Sequence, residues 1–95
     1  MALTHYDVTL TAVATPITTN ALKKNVAQAI IHNTAQNSAV YIGNADVTAS
    51  TWGFTLASSE EVTIGPFSGS TPLNTSEIYL FGTENDVVHV LVVTY

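Results

Sequence analysis

Apolar and polar residues alternate along most of this chain with the period of two that is typical of half-buried β-strands. The central stretch, Val40 to Thr48, begins with strand-forming residues, continues with Gly43 and Asn44, and ends with a second β-branched pair. Because glycine and asparagine both tolerate the positive φ of a tight reversal, this stretch predicts a strand, a turn and a second strand. Residues 26–33 form another predicted strand, which could pair with the first half of the central stretch as a hairpin.

The alternation predicts about seven short strands with polar turns at near-regular spacing. They cover residues 4–14, 26–33, 40–48, 52–56, 60–65, 77–81 and 86–95. Such a series is typical of a sandwich or a jelly roll, and 95 residues are enough for one core. We therefore predict an all-β fold, a single-domain antiparallel β-sandwich or jelly-roll-like fold over residues 1–95. Helix should be limited to one turn near residues 20–25.

The last predicted strand, residues 86–95, is apolar on both of its faces. Val88, Val90 and Val92 alternate with an opposite face that includes Leu91 and Val93. Both faces of such a strand have to be covered, and a small domain has few elements that could cover them. We predict that one of the two faces lines a contact between subunits. In the alternative, the loop 66–75 covers this strand within the monomer.

The composition excludes several classes of partner. The chain has two lysines, no arginine and no cysteine, and its formal net charge is -5. Binding to nucleic acid depends on Lys and Arg, so we expect no nucleic-acid partner. We find neither a secretion signal nor an apolar stretch of membrane-spanning length, so we expect assembly in the cytoplasm and no membrane partner. Without cysteine, neither disulfides nor thiolate zinc sites can form.

Residues that could carry chemistry are few and dispersed. His5, His32 and His89 lie on three separate predicted strands. No pair of them has a local ligand spacing, so we predict no metal site, although the fold could bring them together. Glu60 and Glu61 point to opposite sides of a strand, and no serine has the surroundings of a nucleophile. We therefore predict no catalytic residues, no cofactor and no enzymatic activity.

Five short motifs lie in order along residues 23–95. They are Lys23-Lys24-Asn25 leading into Val26–Asn33, then Val40-Tyr41-Ile42-Gly43, Asp46-Val47-Thr48, Ile78-Tyr79-Leu80 and the valine-rich last strand. Together they resemble small structural proteins of tailed-bacteriophage virions. The chain departs from that pattern after Thr48, where Ala49–Gly53 replaces a glycine-rich turn. The resemblance implies a sandwich or jelly-roll module that decorates or cements the capsid, commonly as a trimer.

The predicted function is therefore that of a capsid decoration, or cement, protein on the surface of the virion, which binds and stabilises the lattice of the major capsid protein. As a homotrimer it could contact several capsid subunits at once. We expect capsid contacts from Met1–His5 and from the loop 66–75, whose Phe67 and Leu73 could instead cover the sandwich core. One alternative is a carbohydrate- or receptor-binding module of a head or tail fibre, for which no aromatic residue stands out. Another is a structural component of the tail or neck.

Overall fold

The computed structural model describes residues 2–17, 26–34, 36–65 and 75–94. Its strands are β1 (Ala2–Thr9), β2 (Thr15–Pro16), β3 (Val26–Asn33), β4 (Val40–Gly43), β5 (Phe54–Leu56), β6 (Glu61–Ile64), β7 (Tyr79–Phe81) and β8 (Val87–Thr94). A short 3₁₀ helix, Thr75–Glu77, precedes β7. The helical turn predicted near residues 20–25 lies outside the described residues.

These strands form two antiparallel sheets of four strands each. Sheet A has the order β1-β8-β3-β6, and sheet B has the order β2-β7-β4-β5. The hydrogen-bonded pairs β1–β8, β2–β7, β3–β6 and β4–β5 are those that arise when one long antiparallel hairpin is rolled up across two sheets. This is the topology of a jelly roll, so the predicted fold class is confirmed.

The hydrophobic core lies between the two sheets and receives side chains from both. Its buried members are Val8, Val26, Ala29, Ile31, Val88, Val90 and Val92 from sheet A, Val40, Ile42, Leu56 and Leu80 from sheet B, and Leu10 and Ile17 from the connections. The strands contribute residues at every second position, as a pleated sheet requires, except in β3, where a register shift between Val26 and Gln28 interrupts the alternation. The alternation in the sequence therefore predicts the inward faces of the long strands.

The prediction that Val88, Val90 and Val92 line a subunit contact is wrong for this fold. All three side chains are buried within the chain itself, in the core that sheet A shares with sheet B. The sequence argument assumed that a small domain could not cover this face, but the second sheet of the sandwich does so. A partner subunit cannot reach these three valines while the fold is intact.

Two predicted connections also differ from the structure. The first predicted strand, residues 4–14, is divided, because β1 ends at Thr9 and Thr15–Pro16 form a separate strand at the edge of sheet B. Proline is tolerated at such an edge because its missing N–H is not needed there. The predicted hairpin of β3 with β4 does not form. Instead β3 occupies an interior position in sheet A between β8 and β6.

A buried amide links the two sheets at one end of the sandwich. Asn33, at the end of β3, is fully buried. Its Nδ2 donates hydrogen bonds to the backbone carbonyls of Ser38 at 3.0 Å, Leu56 at 3.2 Å and Ala57 at 3.2 Å. Its Oδ1 accepts a hydrogen bond from Nδ2 of Asn37 at 3.0 Å. One buried side chain thus bonds to three backbone carbonyls, with one of its two N–H groups shared between two of them.

Tyr6 provides a second link between the sheets. It lies on β1, and its hydroxyl donates a hydrogen bond to the backbone carbonyl of Ile17, next to β2. Burial raises the pKa of the Tyr6 hydroxyl above its ordinary value of 10.0, because the phenolate would lose its hydration. Tyr6 therefore stabilises this fold in its neutral form.

Candidate functional site

Only some of the side chains that the sequence predicts at interfaces lie in the part of the chain that the structure describes. Phe67 and Leu73 lie outside the described residues. Residues Ala2 to His5 belong to β1 and pair with β8, so they are not a free arm. Because the core valines of β8 point inward, the alternation places Leu91 and Val93 on the outer surface of sheet A, where both are half-buried. This second predicted face is the one that a partner could contact.

A row of four ionisable side chains crosses the outer surface of sheet A. In the strand register Asp7 is opposite His89, His89 is opposite His32, and His32 is opposite Glu61. Oδ1 of Asp7 and Nδ1 of His89 are 2.6 Å apart, and both side chains are exposed. The rings of His32 and His89 stack, with centroids 6.3 Å apart and planes 13° apart. The fold thus brings two of the three histidines together and places an acidic residue at each end of the row.

Next to this row, the outer surface of sheet A is mostly apolar. The adjacent row consists of His5, Leu91, Ile30 and Thr63, and the row beyond it contains Leu3, Val93 and Gln28. Leu3 is 69% exposed, and the other three apolar side chains are half-buried. We call Leu3, Ile30, Leu91 and Val93 the apolar patch of sheet A. Its members are neighbours across β1, β8 and β3.

An open polar cleft adjoins the ionisable row at His89. The cleft has a volume of 560 Å³ and is lined by Thr34, Gln36, Asn37, Asn85, Asp86, Val87 and His89. In nucleophilic sites, a histidine–carboxylate pair provides the base and the group that orients it, and His89 with Asp7 is a pair of this type. In the part of the chain that the structure describes, no hydroxyl group donates a hydrogen bond to His89. The described lining of the cleft offers hydrogen-bonding groups to a ligand.

The outer surface of sheet B is partly covered by residues 44–53, which we call the strap. Val47 of the strap is only 2% exposed and packs on Gly43, where an added Cβ would lie 3.2 Å from the Val47 side chain. Neither Gly43 nor Asn44 has a positive φ, so the predicted reason for this glycine is wrong. Gly43 instead leaves room for Val47. The second strand predicted at Val47-Thr48 does not form, and these two residues lie in the irregular strap instead.

Trp52 and Tyr41 form an aromatic pair beside the strap. Their ring centroids are 5.2 Å apart with planes tilted by 45°, and Trp52 is 50% exposed. A cleft of 280 Å³ next to them is lined by Gly43, Asn44, Val47, Thr51, Trp52 and Gly53. No aromatic residue stands out in the sequence as part of a platform, so the sequence does not predict this pair. The N–H of Gly53 donates to the carbonyl of Ile42 at 2.9 Å and so joins the end of the strap to β4.

Two further features are absent from the described ranges. There, no three histidine or acidic side chains come close enough together to hold a metal ion. No helix in these ranges is long and apolar enough to span a membrane.

Comparison of the chain with protein-family models, with curated proteins and with solved structures gives no match in any of the three. Its function is therefore inferred from the geometry above and from the resemblance carried by the motifs in residues 23–95.

Proposed function

We propose that this protein is a structural component of a bacteriophage virion, namely a capsid decoration, or cement, protein that binds and stabilises the lattice of the major capsid protein. The motifs along residues 23–95 support this proposal, and viral capsid domains are among the proteins that use jelly rolls. The observation that carries it is the apolar patch of sheet A, because this patch offers a small protein a surface for assembly.

The patch suits a contact between copies of the chain. Leu91 is opposite Ile30 and Val93 is opposite Leu3, so the four side chains are contiguous. Burial of apolar surface contributes about 25 cal/mol per Å². Only Asp7 and Glu61 carry a charge among the three rows when the histidines are neutral, and both lie on the edge strands. The central part of the surface can therefore be buried without desolvating an ion, which would be costly.

We assign this contact to a homotrimer on the surface of the virion. In a closed trimer, the patch of one copy meets a different surface of the next copy. Three linked copies would then bind several capsid subunits at once, so contacts that are weak singly become strong together. Phe67 and Leu73 remain predicted contacts to the capsid.

The direct test is to mix the purified protein with capsids that lack it and to measure co-sedimentation over a range of protein concentrations. We expect saturable binding with a fixed number of copies per capsid subunit, and a higher temperature of capsid disruption at saturation. Binding to isolated tails or necks, with none to capsids, would contradict the proposal and favour a tail or neck component. Binding to host-cell glycans alone would favour the carbohydrate- or receptor-binding fibre module.

A further inference from the structure

The strap on sheet B is held in one conformation by its own hydrogen bonds. Thr48 and Thr51 exchange backbone hydrogen bonds of 2.8 and 3.3 Å. Oδ1 of Asn44 accepts a hydrogen bond from the backbone N–H of Asp46 at 2.9 Å. Together with the bond from Gly53 to Ile42 on β4, these contacts fix the strap at both of its ends. A ligand that binds beside the strap would therefore need to order little of the chain.

The cleft beside the strap combines an aromatic surface with uncharged polar groups. Tyr41 contacts Trp52 at a tilt, and half of the Trp52 surface remains exposed to solvent. Asn44 and Thr51 are the polar side chains in the lining, and no charged side chain is part of it. This lining does not select an ion. It can stack against an apolar surface and hydrogen-bond to hydroxyl groups at the same time.

We propose that the cleft beside Trp52 binds one ring of a neutral sugar. The C–H bonds on the face of a pyranose carry partial positive charge, which the negative face of an indole attracts. The hydroxyl groups at the rim of the ring can reach the amide of Asn44 and the hydroxyl of Thr51. The volume of 280 Å³ is just below the range for drug-sized ligands, about 300 to 1,000 Å³, and suits a single ring.

This glycan site is independent of the proposed capsid function, since it lies on sheet B and the apolar patch lies on sheet A. A capsid protein with such a site could also hold the particle at a glycan-coated surface. Either function can be present without the other, so each has its own test.

Trp52 is the only tryptophan in the chain, so its signals report on the cleft directly. We would titrate the protein with glucose, galactose, mannose and N-acetylglucosamine, and record Trp52 fluorescence and the indole N–H resonance. At least one sugar should shift both signals saturably, with a dissociation constant on the order of 1 mM. If none of the four sugars shifts either signal at concentrations up to about 100 mM, the proposal is overturned.

Matched variants localise the binding. In Trp52→Ala, followed by the backbone amide resonances of the strap, binding should weaken at least about tenfold. Phe54→Ala is the control, because Phe54 is 48% exposed and does not line the cleft. Thr51→Val should weaken binding severalfold, while Thr51→Ser should retain it. Unchanged binding in Trp52→Ala would place the sugar elsewhere and contradict the proposal. Capsid binding by Trp52→Ala should equal that of the wild type.

Discussion

The outer surface of sheet B is partly covered by the chain itself, whereas the outer surface of sheet A carries an apolar patch that stays partly exposed. On sheet B, Val47 of the strap packs on Gly43 and is buried. On sheet A, Leu91 and Val93 are only half-buried, and Leu3 is largely exposed. Apolar residues on an outer surface can thus serve two purposes. Val47 on sheet B stabilises the monomer, and we infer that the apolar patch of sheet A binds a partner.

The inner and outer faces of β8 allow the strongest test of this comparison. Val90→Lys puts a charge into the core, which should cost more than about 4 kcal/mol, a large part of the stability of a typical small domain. Leu91→Lys, one residue further on the opposite face, should change the free energy of unfolding of the monomer by less than about 1 kcal/mol. Urea unfolding followed by circular dichroism measures both. A Val90→Lys variant as stable as the wild type would show that this face is not core.

Substitution of Asn33 tests whether its buried side chain links sheet A to sheet B. Asn33→Ala removes a buried side chain that donates to three carbonyls, of which that of Ala57 also accepts a hydrogen bond from the N–H of Glu60, and should cost about 2 to 4 kcal/mol in the same unfolding experiment. Asn44→Ala is the matched control, because Asn44 is exposed and loses one hydrogen bond, to the N–H of Asp46, which should cost about 0.5 to 1 kcal/mol. Equal effects of the two substitutions would mean that the buried amide does not link the sheets.

The same substitution of valine by alanine, made once in the strap of sheet B and once in the apolar patch of sheet A, compares how much each surface contributes to the free energy of unfolding. Val47→Ala removes two buried methyl groups and should cost about 1 to 2 kcal/mol. Val93→Ala, on a half-buried residue of the patch, should cost less than about 1 kcal/mol in the monomer. Thermal unfolding of dilute samples gives both values. A larger loss at Val93 than at Val47 would reverse the comparison.

Tyr6 adds a pH-dependent test of the link between the sheets. Tyr6→Phe removes the hydrogen bond to Ile17 and should cost about 1 kcal/mol at neutral pH. Because burial raises the pKa of Tyr6 in the folded state, the unfolded chain loses this proton first as the pH rises. The stabilisation is therefore complete below pH 10 and is lost as the pH rises through the folded pKa. Urea unfolding at pH 9 and pH 11 should show the gap between wild type and Tyr6→Phe shrinking. A constant gap would contradict this explanation.

The fold class and the inward faces could be predicted from the sequence because both follow from local alternation. Val88, Val90 and Val92 show both what the alternation predicts and what it cannot predict. Their alternation marks one face correctly, but only the position of sheet B shows that the face is core. The row of four ionisable side chains on sheet A could not be predicted from the alternation either. Asp7 and His89 are 82 positions apart, and each shows its place only through the register of β1 with β8.

The strap could be predicted less well, because its structure depends on one contact rather than on a period. Trp52, Phe54 and Leu56 alternate as one strand would, yet β5 begins only at Phe54 and Trp52 lies before it. The sequence predicts that Gly43 is needed for a tight turn, whereas in the structure its missing side chain leaves room for Val47. Neither the aromatic pair nor its cleft can be located before the position of the strap is known.

The central claim is that the apolar patch of sheet A is a contact between subunits, and light scattering after size exclusion tests it most directly. The wild type, Leu91→Lys and Thr55→Lys would be compared at tens of micromolar. Thr55 is the control because it is exposed on the outer surface of sheet B. We predict a trimer for the wild type and for Thr55→Lys, and a folded monomer for Leu91→Lys. A wild type that is monomeric at this concentration, or a Leu91→Lys variant that remains a trimer, would contradict the claim.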